Sequence, residues 1–296
     1  MNAATLEQDT QRFVEHLRIE RRCAPGTLRN YTRELRTLVA HAAAQGVHDW
    51  RELQPAQVQA LLAALHRGGR GAGSLQHLLA ASRSFFRWLL REGALQASPA
   101  AGVRAPKRRR RLPHVLDVDQ AQRLVELQAD DALVARDRAL LELLYSSGLR
   151  VAELCALRWC DLDFAQGLLR VTGKGSKTRI VPVGAAALDA LRALPGAAAD
   201  APLFPGRGGG TLSPAAVRLR LKRRAREQGI AQRVHPHLLR HTCASHLLES
   251  SGELRAVQEL LGHADIATTE IYTHLDFQHL AQVYDRAHPR ARKTSR

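Results

Sequence analysis

Between residues 94 and 113 the hydrophobic periodicity of the chain stops. The stretch ALQASPAAGVRAPKRRRRLP carries three prolines, one glycine, six basic side chains and no acidic one. A segment of this kind neither buries a face nor sustains a helix, so it divides the chain into two bodies. The expected division is 1–93, a basic linker at 94–113, and 114–296. In a chain of 296 residues each flanking part is long enough to bury a core of its own.

The first part reads as four helices at about 6–22, 27–45, 56–66 and 75–91. Leu28, Tyr31, Leu35 and Leu38 recur at spacings of three and four, after a Thr27 that is expected to cap its helix. Gly46, Gly68-Gly69 and Gly93 punctuate the pattern. No strand-like alternation interrupts it, so a compact helical bundle is expected. The second part opens with helices near 118–127 and 133–146, then turns to a β-hairpin. Its strands are Leu168–Val171 and Thr178–Val183, joined by Gly173-Lys174-Gly175-Ser176. Beyond Leu188 the pattern is helical again, and Ser213-Pro214 is a cap and first turn for a helix running to about Gln228. The fold class is therefore mainly α with a small β-sheet in the C-terminal half.

Charge narrows the partner. The formal net charge is +16, made of +5 before the linker, +6 within it and +5 after it. So short a segment holding over a third of the excess suits a chain that tracks a phosphate backbone, although a solvated charge run has the same composition. Cys23, Cys155, Cys160 and Cys243 lack the spacing of a disulfide framework or a zinc ribbon, and a reducing cytoplasm is expected. The start, MNAATLEQDT, reads as no secretory leader, and no stretch reaches the roughly 20 apolar residues of a membrane span.

Five clusters carry chemistry, and each has a plainer reading. Arg150, with Glu153 three residues on, is equally a surface ion pair. Lys174, at the hairpin tip, is either an exposed lysine or a proton donor reaching a groove. His237 and Arg240 share a helix face after Pro236, yet histidines in such a helix also serve as core packing. His237 and His241 lack the glutamate of the HExxH zinc pattern, so no metal is expected. His263 closes a Leu-Leu-Gly-His turn, and Tyr272, between Ile271 and Leu275, alone would read as core filling. Together these residues describe a phosphoryl-transfer site that needs no metal or other cofactor. Two guanidiniums can clamp non-bridging oxygens, a lysine can protonate a leaving oxygen, and a phenol of pKa near 10 needs a base or cationic surroundings to attack.

In order and spacing, GLRVAEL (148–154), TGKGSKTRIVPV (172–183), HPHLLRHTCASHLL (235–248) and LLGHADIATTEIYTHL (260–275) resemble the tyrosine recombinases, the phage-integrase family. The resemblance covers essentially the whole chain; Cys243, where an aromatic is common, and the four-arginine linker depart from the pattern. It implies a SAM-like, core-binding DNA-binding domain at 1–93 and a catalytic domain at 114–296. It further implies that Arg150 and Arg240 stabilise the transition state and that Lys174 protonates the leaving 5′ oxygen. His237 would exchange the tyrosine proton, His263 would hydrogen-bond the phosphate, and Tyr272 would be the nucleophile that forms a 3′-phosphotyrosyl bond. Glu153 would orient the site. Double-stranded DNA is the implied substrate, with Lys107, Arg108, Arg109, Arg110, Arg83 and Arg87 as candidate contacts. Within the family the chain looks most like the bacterial members that resolve chromosome dimers, and the tail DFQHLAQVYDRAHPRA (276–291) favours one of the two partners of that system over the other. That likeness implies an XerD-like recombinase in a heterotetramer, with the C-terminal helix donated between neighbours, and an FtsK-type DNA translocase as a further partner. Rival readings are a mobile-element integrase, a DNA-relaxing enzyme of the same chemistry, and a DNA-binding accessory protein with an idle site.

Overall fold

The computed structural model describes residues 4–107, 115–127, 132–173, 178–262 and 274–291. Contacts divide the chain into two units, Met1–Arg111 and Leu112–Arg296.

The first unit is a bundle of α1 (Ala4–Ile19), α2 (Pro25–Ala44), α3 (Pro55–Arg67) and α4 (Ala72–Arg91). Phe13, Trp50, Phe85, Phe86 and Trp88 form its centre, with ring centroids 5.1–6.3 Å apart. Thr27 does not cap α2. The helix begins at Pro25 with Ala24 in the cap position, because proline suits a first turn whose N–H groups have no partner in any case. Helix α4 likewise starts at Ala72, three residues before the apolar pattern becomes visible. The carboxylate of Glu34 is buried in the bundle and is paired to Arg70 and Arg33.

The start of the basic stretch stays with this unit. Leu95, Ala100 and Val103 are buried in its core. Gln59 exchanges hydrogen bonds with the backbone of Arg104, and Arg83 Nη2 donates to Val103 O at 2.6 Å. The sequence pattern hides this anchoring, since three spaced apolar residues among prolines have no period.

The second unit is built around α6 (Ala132–Ser147), preceded by α5 (Val118–Val125) and followed by α7 (Val151–Ala156). A three-stranded antiparallel sheet comes next, in the order β1 (Leu162–Asp163), β2 (Leu168–Thr172), β3 (Thr178–Pro182). The paired strands β2 and β3 stand where the sequence predicts, with Lys174-Gly175-Ser176 outside the described residues, while the two-residue β1 is too short to leave a periodic signal. Helices α8 (Ala185–Arg192), α9 (Pro214–Glu227), α10 (Pro236–Ser251), α11 (Leu254–Leu261) and α12 (His274–Ala287) complete the unit. Ser213 caps α9, accepting from Ala216 N at 3.1 Å.

Helix α6 is buried nearly all round, including its acids Asp137 and Glu142. Unpaired, such charges would cost several kcal/mol. Asp137 receives Arg220 and Arg224 of α9, and Glu142 receives Arg290 from beyond α12. The chain end is thereby fastened to the same unit, with Leu280, Val283 and Tyr284 buried there and Tyr284 stacked on His288 at 4.8 Å. Gly184 completes the seat, because a Cβ there would stand 2.3 Å from Arg290 O. We therefore expect Gly184→Ala to destabilise the protein by about 1–3 kcal/mol, as overpacking does, and to release the tail to proteolysis. A wild-type melting curve and cleavage pattern would show that Arg290 is not seated this way.

Candidate active site

Gly148 ends α6 with a positive φ of 56°. A Cβ at this position would come within 3.2 Å of Leu261 Cδ2 and 3.4 Å of Cys243 Sγ. The close approach brings the α6–α7 turn, α10 and the end of α11 together. Arg150 stands at the cap position of α7, and its backbone N–H donates to Glu153 Oε2 at 2.8 Å. Its Nη1 donates to Glu153 Oε1 at 2.8 Å and its Nη2 to Gly262 O at 3.3 Å. Arg240 lies on α10 and is buried; it donates to Gly148 O and to Leu261 O.

The sequence reading misses a third arginine. Arg179 of β3 forks onto Glu153, with Nη1 to Oε1 and Nη2 to Oε2 both at 2.9 Å, and its Nε donates to Leu260 O at 3.4 Å. Three consecutive carbonyls, Leu260, Leu261 and Gly262, thus each receive a different arginine. These are the end carbonyls of α11, which lack partners within the helix and carry the negative end of its dipole. Period-two alternation holds the signal for Arg179. It pairs with Val171 and shares a face with buried Val181, while Ile180 on the opposite face is 49% exposed.

Electrostatics follow from this packing. Burial alone would raise the Glu153 carboxyl, but hydrogen bonds from Arg179 and Arg150 outweigh it and hold the group down at about 2. Burial, then the neighbouring charge of Arg150, lowers Arg240 to about 10, so it stays cationic at neutral pH. His237 is lowered from its ordinary value first by burial and then by His241, Arg240, Arg218 and Arg150, which leaves it neutral and able to accept a proton. His235 is a helix cap, its Nδ1 accepting from Leu238 N at 3.0 Å. His246 is a core residue between Tyr145 and Leu116 O, while His241 is exposed.

The structure therefore brings Arg150, Glu153 and Arg240 together and places His237 one turn before Arg240 on α10. Lys174, His263 and Tyr272 lie outside the described residues, as do Arg108, Arg109 and Arg110. Lys107 and Arg87 are exposed, and Arg83 is partly engaged with Val103. On α9 the cations Arg218, Lys222 and Arg226 recur every four residues, exposed and in no ion pair with a described residue. Two juxtaposed guanidiniums with hydrogens to spare, beside a neutral imidazole, can bind an oxyanion and move a proton next to it.

The description "Phage integrase family" matches residues 114–279, and "Phage integrase, N-terminal SAM-like domain" matches residues 10–93. The chain belongs to the phage integrase family. It is a tyrosine-type site-specific DNA recombinase. Among its relatives, Tyrosine recombinase XerC of Xanthomonas campestris pv. campestris (strain B100) is 57% identical over 284 residues, 95% of this chain and 88% of that one. Tyrosine recombinase XerC of Azotobacter vinelandii (strain DJ / ATCC BAA-1303) is 52% identical over 294 residues, covering 97% of this chain and 98% of its own. The recombinase also shares its fold with a lambda integrase tetramer bound to a Holliday junction. That likeness has a TM-score of 0.70 at 22% identity and covers 90% of this chain and 80% of that one. Among the described residues, no helix is long and apolar enough to cross a membrane.

Proposed function

We propose that this recombinase cuts and rejoins duplex DNA through Tyr272, and that it acts at a dif-type site with an XerD-like partner to resolve chromosome dimers. The phenol oxygen attacks a backbone phosphorus, forming a 3′-phosphotyrosyl ester, and the bond to the 5′ oxygen breaks. His237 takes the phenol proton, and Lys174 gives one to the leaving 5′ oxygen. Arg150 and Arg240 carry the charge that spreads over the non-bridging oxygens, assisted by His263, while Glu153 fixes Arg150. A free 5′ hydroxyl then reverses the attack. One ester is exchanged for another of similar energy, so the cycle needs neither ATP nor a metal.

The observation that carries this reading is the convergence of Arg150 and Arg240 on the last carbonyls of α11, one residue before His263 and within about a dozen residues of Tyr272. The exposed cations of α9, with Lys107 to Arg110, Arg83 and Arg87, are the proposed phosphate contacts; such contacts give affinity more than sequence reading. The XerC relatives support the chromosome-dimer role, a heterotetramer and coupling to an FtsK-type translocase, and the 276–291 tail favours the XerC side of such a pair. Leu280, Val283 and Tyr284 are buried within their own unit, so donation of this helix to a neighbour would have to exchange that burial for an equivalent one.

A duplex nicked beside the cut site traps the intermediate, because the short leaving strand diffuses away. Wild type with an XerD-like partner should form a covalent adduct, and Tyr272→Phe should form none while binding DNA as tightly. Adduct formation by Tyr272→Phe, or tight binding by wild type without any adduct, would refute the assignment.

A further inference from the structure

We propose that Arg179 is a positioning residue for strand cleavage, clamping Glu153 and the end of α11 together so that Arg150 and the chain entering His263 keep a fixed relation. The inference rests on the recombinase chemistry of Tyr272 and concerns a side chain that takes no part in that chemistry directly.

Position 179 faces inward in a strand, beside Val171 and Val181, where an aliphatic side chain would pack with no charge to desolvate. Arginine at this position has to be paired, and its pairing reaches two separate elements. The two terminal nitrogens take both oxygens of Glu153, each at 2.9 Å, and Nε reaches back to Leu260 O. The side chain also lies against Gly262, where a Cβ would stand 3.0 Å from Arg179 Cδ and 3.1 Å from Nε. A Cβ at 262 would require the arginine to give way by a few tenths of an ångström.

Arg150 depends on this clamp. Its side chain is 39% exposed, and among the described residues it is held by Glu153 and, more weakly, by Gly262 O. Arg179 holds Glu153 directly, and it holds the same helix end two residues before Gly262, at Leu260 O. A long side chain without such anchors loses its fixed direction, and holding it in place again at each encounter has an entropic cost. Arg179 therefore touches no substrate in this scheme. It orders the guanidinium that does, and it ties that guanidinium to the backbone from which the segment bearing the nucleophile continues.

Full-length Arg179→Met and Arg179→Lys, compared with wild type on the nicked duplex, test the proposal through three measurements: DNA affinity, single-turnover cleavage at saturating protein from pH 5 to 9, and thermal melting. For Arg179→Met we expect affinity within about threefold and cleavage slower by about 30- to 100-fold, the scale of a misplaced catalytic group. Its acid limb should also move to higher pH. With the clamp gone, only Arg150 still opposes the rise that burial imposes on Glu153, and protonation at the acid end of the range then loosens Arg150. Arg179→Lys should recover part of the rate, since one ammonium can meet the carboxylate but cannot fork across it. Cleavage by Arg179→Met within threefold of wild type would overturn the proposal. So would a loss that simply follows the unfolded fraction with the acid limb unmoved. If wild type itself gave no adduct, the recombinase chemistry would fall and this inference with it, an outcome distinct from a wild type that cleaves and a variant that cleaves equally well.

Discussion

Arg240→Ala is expected to slow strand cleavage by about 10²- to 10³-fold, or about 3–4 kcal/mol of transition-state stabilisation, the usual loss when a preorganised donor to a developing charge is removed. The guanidinium is nearly inaccessible, pinned by Gly148 O and Leu261 O, and still charged despite its lowered pKa of about 10. Such a group needs little reorganisation when charge spreads over the phosphate. The same pinning means that alanine also takes a donor away from two carbonyls, Gly148 O and Leu261 O, at a cost of about 1–3 kcal/mol each. Arg240→Lys separates the two effects. It keeps a charge near the site with a smaller loss of packing, yet it cannot grip two oxygens at once, so cleavage should stay well below wild type while the melting temperature largely returns. Single-turnover cleavage at saturating protein, beside a melting curve, is the measurement. A Lys variant as active as wild type would mean that Arg240 supplies only structure.

DNA affinity should fall steeply with salt. For a protein making 6 to 10 phosphate contacts, affinity drops by about 10³- to 10⁵-fold between 50 and 200 mM monovalent salt, with a log–log slope of about −0.9 per contact. The net charge of +16 is large enough to supply that number. Two groups of cations are expected to contribute separately. Neutralising Lys107, Arg108, Arg109 and Arg110 together should make the slope shallower by about 3 to 4, and neutralising Arg218, Lys222 and Arg226 of α9 by about 2 to 3. The buried pairs Arg220–Asp137 and Arg224–Asp137 belong to the fold, so removing those arginines should cost stability before it alters the slope. Fluorescence anisotropy of a labelled duplex across a salt series reads all of this. A flat profile in wild type would mean that the excess of positive charge does not serve phosphate binding.

Much of the architecture is legible along the chain because it rests on local rules. Apolar residues at spacings of three and four mark α2 and α4, glycine punctuates the bundle, and Ser213-Pro214 announces α9. What escapes depends on partners distant in the chain. Arg290 meets Glu142 across 148 positions, and nothing in the composition of either segment announces it. Arg83 reads as a free cation because its acceptor, Val103 O, belongs to a stretch whose prolines suggest no packing. Thr27 reads as a cap because threonine often is one, but Pro25 two residues earlier is the stronger start. At the site, motif order singles out Arg150, Glu153 and Arg240, which the fold brings together, and His237, one turn before Arg240 on α10. It does not find Arg179, which within TGKGSKTRIVPV looks like one more exposed cation. Its place on the Val181 face of β3 turns it inward, an alternation easily overlooked beneath a charged side chain.

The decisive measurement is the chemical identity of the protein–DNA bond. The covalent complex trapped on a nicked duplex can be digested with protease and nuclease and the modified peptide sequenced by tandem mass spectrometry. The expected product is a peptide spanning IATTEIYTHL whose Tyr272 carries the 3′ phosphate of the cut strand. A nucleotide attached to any other side chain, or joined through its 5′ end, would contradict the chemistry assigned to this site.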